Sequence, residues 1–410
     1  MAASIRFGVM AEMALHDEFS ESFLQPVDRL AWSATKWEKY RGRDVIPLWI
    51  ADMDFPVAPV IQQALAAHVA HGNFGYMSTP QGLADRLAGY YAERYGWEIQ
   101  PEWIVWLPGL VLGFNLAVKA CCAPGESALT FTPVYPPFLH AAKTQGRESI
   151  EVGLAMETDA AGRLGYHIDF AALEAAVCPS TRLLLLCHPH NPVGHVFSAD
   201  ELATLLEFAE RHDLVVCSDE VHCDLILDPG VMHVPFARLM GERMGQSITL
   251  HGPGKVFNLA GLGISWAIIP DALLRRRYRQ AMQRLVPEPC GLGYTALRAA
   301  LDQGEPWRLA LLARLRANRE LVVAALGRMG LPHTFPAATY LVWIDARALV
   351  ESVGNPSQWL EQHGVGLSDG ADFGAPGFLR LNFGTAPSLL EKALARMEVA
   401  LAAVRGQIIA

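Results

Sequence analysis

No two cysteines in this 410-residue chain are spaced C-x-x-C, and the seven present, at 121, 122, 178, 187, 217, 223 and 290, offer no metal-ligand spacing. An odd, scattered set excludes an ordinary disulfide framework and fits reduced, mostly buried thiols in a cytoplasmic protein. Positive charge is not in excess either. Lys and Arg number 33 against 42 Asp and Glu, a formal net charge of −9, so the basic face that a nucleic-acid binder needs is not expected. The basic run LLRRRYRQ at 273–280 reads as the wet side of a helix. No segment is apolar for the length of a bilayer, so no membrane partner is expected. The opening MAASIRFGVMAEMAL is interrupted by Glu12 and followed by no clear cleavage site, which argues against a secretory leader. Low-complexity tracts and internal repeats are lacking too. What is present is globular: 51% hydrophobic and 18% charged residues in a chain long enough for two domains and a sizeable core.

From about residue 100 to 270, strand-like apolar runs alternate with helical segments, the pattern of an α/β doubly wound, mostly parallel sheet. The strand candidates are EWIVWL, SALTFT, RLLLLC, LVVCSD, SITLHG and GISWAII. RLLLLC is continuously apolar, as a strand covered by helices on both faces is. SADELATLLEFAERH carries a capping-box spacing at Ser198 and Glu201 and leucines at helical intervals, and reads as a crossover helix. Beyond about 285 the texture changes to long helices, a strand candidate TYLVWID, then FLRLNFG and a last amphipathic helix, the outline of a smaller α+β domain. The expected division is an N-terminal segment 1–47 packing with the small domain, a large domain 48–285 and a small domain 286–410.

Parallel strands bring their carboxyl ends together, and the polar residues just past those ends form one set. After WIVWL, a Pro-Gly turn feeds a helix whose first NH groups, at Gly109, Leu110 and Val111, and positive dipole end suit a phosphate; alone this is an ordinary helix start. After SALTF, TPVYPPF holds Tyr135 where its ring could stack on another planar ring, or simply fill a rim. After RLLLLC, HPHNPVG presents Asn191, a donor and an acceptor. The His188 and His190 pair lacks a third ligand, so turn geometry explains it better than a metal, and no metal is expected. Asp219 follows LVVCS directly, where burial raises a carboxyl pKa unless a cation is near; its plain alternative is a helix N-cap. His222 is three residues on. Lys255, in HGPGKVFNLAG, stands past the strand SITL, where loss of water makes a lysine amine nucleophilic and able to form a Schiff base. A phosphate seat, a stacking tyrosine, an asparagine, an acid for a pyridinium nitrogen and an imine-forming lysine match what pyridoxal 5'-phosphate requires. Each is weak singly, and in one order along successive strand ends they are jointly strong.

These residues resemble the aspartate-aminotransferase fold (fold type I) of pyridoxal phosphate enzymes, and within it the carbon–sulfur β-lyases of the cystathionine β-lyase type. SATKW, PLWIADMDFP, GNFGY, TPVYPPF, HPHNPVG, SDEVHCD, GKVFNLAGL and RLNFG carry the likeness over nearly the whole chain. The resemblance implies that Lys255 holds the cofactor covalently and moves the α-proton, that Asp219 pairs with the ring nitrogen and Asn191 with the phenolic oxygen, with His222 nearby, and that Tyr135 stacks on the ring. It implies that Arg380 grips the substrate carboxylate with two prongs, near Asn191 and the backbone of Ala51. Without the family, Arg380 reads as a salt-bridge partner. Tyr76 is implied to reach the phosphate of a neighbouring subunit in a homodimer. Asp52 and Trp37 lie in the same motifs with no role that the sequence assigns.

One departure stands out: relatives of this type carry serine where this chain has Gly252 and Gly254, and the serine three residues before the lysine helps hold phosphate. The implied reaction is α,β-elimination of cystathionine or another S-substituted cysteine to thiol, pyruvate and ammonia. Aminotransfer by the same residues is the alternative, since bond orientation against the ring selects the reaction. A regulatory binding protein on the same fold is a further one.

Overall fold

The computed structural model describes residue 19, residues 21 to 25 and residues 27 to 409. The opening segment read above for a leader lies outside them. A seven-stranded sheet occupies the centre, in the order Ile104–Leu107, Ser265–Ile268, Ser247–His251, Val215–Asp219, Thr181–Cys187, Ser127–Thr132, Glu148–Gly153. Its last five strands run parallel, and Ser265–Ile268 is antiparallel to both neighbours. All six strand candidates from the sequence fall in this sheet. Glu148–Gly153 escaped notice because it is an edge strand with one buried residue, and so shows neither a long apolar run nor clean alternation.

The central strands are buried along nearly their whole length because apolar clusters cover both faces. Leu183 and Leu185 face one, with Phe114 and Phe138; Leu184 and Leu186 face the other, with Leu202 and Leu205. The latter pair belongs to the helix Ala199–Arg211, which starts with the expected reciprocal cap between Ser198 and Glu201.

A second sheet runs in the order Ser368–Asp369, Phe378–Asn382, Leu341–Asp345, His333–Thr334, Arg163–His167, Ala155–Thr158. The long helices Glu305–Arg328 and Pro387–Ile409 share an apolar cluster with its strands, Leu311 and Leu390 joining Leu341 and Leu379. Two of its strands come from the middle of the chain, so the two sheets are stitched together through residues 155–167. The chain's early part is tied in by Ile46–Pro47, which pairs in parallel with Val365–Gly366. No helix among the described residues is long and apolar enough to cross a membrane.

Candidate active site

The parallel strands end at one edge, and a cavity of about 230 Å³ opens there. Its lining includes Ala51, Gly109, Leu110, Val111, Tyr135, Asn191, Asp219, His222 and Lys255, so nine residues proposed from separate stretches of sequence share one space. Gly252, Gly254 and Ser265 complete the floor beside the lysine. The helix Leu110–Cys121 begins at this edge, and Gly109 before it provides no side-chain cap, leaving its first NH groups to the cavity.

Lys255 follows the strand Ser247–His251 by four residues, and its Nζ donates to Ala51 O at 2.6 Å. Burial pulls its amine down to about 8; Asp52 and Asp219 oppose the shift and Arg380 adds to it. The carbonyl that receives the amine sits in an irregular segment held by side chains almost residue by residue. Asn382 Nδ2 donates to Ile50 O and Asp52 O, Tyr340 OH to Ala51 O, and Lys36 Nζ to Asp52 O. Asn258 Nδ2 reaches Met53 O and Phe55 O. Here the motif residues without a sequence-level role find one. Lys36 and Asp54 form a buried ion pair at 2.6 Å, Trp37 Nε1 donates to Asp54, and Arg29 pairs with Asp52 at 2.6 Å. Buried backbone outside regular structure must still pair its polar groups, and this clamp does so while aiming Ala51 O at the lysine.

Asp219 is buried, and its carboxyl is pushed up to about 6 by that burial, moderated by the Val221 NH at 3.1 Å and by the charges of His251 and Lys255. Behind it, His251 bonds Tyr91 OH through Nδ1 at 2.7 Å, with Nε2 3.3 Å from Asp224. Cys223, Asp224 and His251 stand close enough to share an ion, yet Arg94 already meets the Asp224 carboxylate at 2.7 Å and supplies the positive charge. His222 is buried against the cavity, its imidazole held neutral by burial and by the Lys255 and Arg380 charges, with Nδ1 lacking a partner. His190, by contrast, has its ring nitrogens against two carbonyls, Cys187 O at 3.1 Å and Pro133 O at 2.7 Å.

Arg380, on the strand Phe378–Asn382, approaches from the second sheet. Its guanidinium bonds Asn191 Oδ1 and Trp49 O, both at 2.9 Å, and lies over the Phe373 ring. No ion pair joins it to a carboxylate among the described residues, and its Nε has no partner, although it is only 4% exposed. Burial brings it down to about 10. Arg380 and Tyr135 border a second, wider cavity of about 840 Å³ with Trp49, Ser368 and Asp372, so Tyr135 is the wall between an inner chamber and an outer one. Tyr76 is not brought here: it is fully exposed and lines a separate surface hollow with His68, His71 and Met77. Sequence reasoning missed Tyr340, Asn382 and Ser265. Each is one polar residue in a buried apolar strand or beside one, a signal that marks many structural residues as well.

The sequence model of the family described as aminotransferase class I and II matches residues 43–397. Cystathionine beta-lyase PatB of Bacillus subtilis (strain 168) is 37% identical over 391 residues, covering 91% of this chain and 98% of that protein. The crystal structure of OvoB superposes with a TM-score of 0.88 at 46% identity, covering 92% of this chain and 98% of that one. Cystalysin from Treponema denticola, whose crystal structure contains a pyridoxal 5'-phosphate cofactor, gives 0.87 at 29% identity over 93% and 99% of the two chains. With its two sheets and the cavity at the strand ends, this chain belongs to the class I and II aminotransferase family.

Proposed function

We propose that the chain is a pyridoxal 5'-phosphate-dependent carbon–sulfur β-lyase acting on cystathionine or other S-substituted cysteines. The donors present suit the cofactor. A buried amine depressed toward neutrality, a buried carboxyl, an unpartnered imidazole nitrogen and uncapped helix NH groups surround one cavity, a set with no purpose in packing alone. Lys255 would hold the cofactor, Asp219 its ring nitrogen, Asn191 and His222 the polar edge of the ring, Tyr135 one face, and Gly109, Leu110 and Val111 the phosphate. When bound, the cofactor supplies an electron-withdrawing ring that stabilises the carbanion left by loss of the α-proton.

The chain's own part is to bind, orient and move protons. Arg380, a buried cation with no counter-ion among the described residues, would take the substrate carboxylate and so fix which Cα bond stands across the ring. Lys255, freed when the substrate's amine takes its place on the cofactor, would then be a neutral amine able to remove the proton from Cα. The Cβ–S bond then breaks with its electron pair leaving on sulfur, which takes up a proton. Water converts the remaining aminoacrylate to pyruvate and ammonia.

The convergence of an anion-receptive Arg380 with Lys255, Asp219 and Asn191, in a chain 37% identical to a cystathionine beta-lyase, carries this reading. Aminotransfer uses the same groups, and one experiment separates the two. Pyruvate and free thiol formed from L-cystathionine or an S-alkyl cysteine without any keto-acid acceptor are expected; strict dependence on an acceptor would refute the lyase. A regulatory binding protein would instead keep its biological effect in Lys255→Ala.

The same proposal includes a cytoplasmic homodimer, for which the seven free cysteines and the exposed Tyr76 and Phe74 speak. It divides the chain into an N-terminal segment (1–47), a cofactor domain (48–285) and a small domain (286–410). The main sheet, lying wholly within 104–268, and the pairing of Ile46–Pro47 with Val365–Gly366 support that division.

A further inference from the structure

Gly252 and Gly254 leave the lysine loop without a hydroxyl, and the neighbouring strand accounts for the first of them. A Cβ placed on Gly252 would stand 2.9 Å from Cβ of Ser265, closer than real Cβ atoms approach, and at a tight 3.2 Å from Ile264 O. The volume that a side chain at 252 would fill is thus taken by the side chain of 265. Ser265 is 2% exposed and lines the same cavity as Lys255 and the start of the helix Leu110–Cys121. Its Oγ donates to Leu107 O at 3.0 Å, and Leu107, its partner across the strand pair, stands two residues before Gly109. Among the described residues no arginine lines this cavity, and Lys255 is its one lysine. An anion at the helix start therefore depends on neutral donors.

We propose that Ser265 is the side-chain hydroxyl that holds the phosphate monoester of the cofactor, taking over from across the strand the role that a serine at 252 would have. The inference rests on the pyridoxal phosphate reading above. On arrival of the phosphate the hydroxyl turns from Leu107 O to a phosphate oxygen, joining the NH groups of Leu110 and Val111. Such a bond to a charged acceptor is stronger than one between neutral groups.

The test compares pyridoxal 5'-phosphate with pyridoxal, which lacks the phosphate, by measuring the affinity of each for the apoprotein through quenching of tryptophan fluorescence. Ser265→Ala is expected to weaken the phosphate form by about ten- to a hundredfold and leave pyridoxal unchanged. Gly252→Ser alone, which crowds Ser265, is expected to weaken both. Gly252→Ser combined with Ser265→Gly removes the closest of these contacts, the one between the two Cβ atoms, returns the hydroxyl from the other side, and is expected to bind the phosphate form within about threefold of the wild type, on the size of one such bond. That double variant also decides the matter if Ser265→Ala folds poorly. Equal losses for both vitamers in Ser265→Ala would show a structural role and overturn the proposal, as would no loss, or a double variant as weak for the phosphate form as Gly252→Ser alone. A wild-type apoprotein that binds neither vitamer removes the cofactor reading itself, and this inference with it.

Discussion

Replacing Arg380 by methionine separates a receptor for substrate from a structural ion. The side chain is 4% exposed, makes no ion pair among the described residues and leaves Nε unbonded. Its two shortest hydrogen bonds, to Asn191 Oδ1 and Trp49 O, are each 2.9 Å. A buried cation without a counter-ion costs free energy, and an apolar residue of similar volume in its place is often neutral or stabilising. Against that, two acceptors lose their donor, at about 1–3 kcal/mol each. The terms oppose one another, so the midpoint of urea unfolding is expected to move little. The effect on turnover is not offset. A carboxylate docking on the guanidinium gains two charge-assisted bonds of about 1.5–3 kcal/mol each, so their loss lowers kcat/KM about 10²- to 10⁴-fold. Arg380→Lys keeps the charge without the fork and is expected to fall between the two. Steady-state kinetics on an S-substituted cysteine, paired with urea unfolding of the same preparations, measure both. If Arg380→Met stays within about threefold of wild-type kcat/KM while losing several kcal/mol of stability, a scale set by breaking a buried structural contact, the assignment is wrong.

The amine of Lys255 lies at about 8 against an ordinary 10.5, so the neutral nucleophile gains population as pH rises through 8. Capture of the cofactor by the apoprotein, followed by absorbance, should climb between about pH 7 and 9 and then level; a rate still climbing past pH 10 would show an unperturbed amine. Because the folded value is the depressed one, its contribution to stability is present above 10.5 and lost as pH falls through 8, so apo Lys255→Met should melt higher than the wild type at pH 7. Lys36→Ala strands Asp54 in the core and is expected to cost about 3–5 kcal/mol in urea unfolding; a cost under 1 kcal/mol would mean that the pair does not fix the Ala51 segment. If Tyr76 serves the neighbouring subunit, mixing Tyr76→Ala and Lys255→Ala proteins should restore activity in hybrid dimers, whereas two inactive parents giving an inactive mixture would place Tyr76 outside the shared site.

Much of the fold was written locally. RLLLLC and SITLHG declare buried strands because a strand covered on both faces has no polar side to show, and Ser198 with Glu201 declares a helix start because its cap is satisfied within four residues. The same locality failed at Glu148–Gly153, whose edge position leaves most of its side chains outside the core. Candidate residues such as Asp219, Asn191 and Lys255 could be gathered in advance because a parallel sheet puts successive strand ends on one edge, so chain order stood in for distance.

Distance itself was decided only by tertiary structure. That Ala51 O meets Lys255, that Lys36 neutralises Asp54 beneath it, and that Asn382 braces the same backbone from 330 residues away are pairings between segments with no mutual signal in the sequence. So is the exchange of side-chain volume between Gly252, one residue past a strand end, and Ser265 on the neighbouring strand. Residue types fix which groups can donate, accept or carry charge; the packing of one strand against another fixes which of them meet, and how far water is kept away when they do.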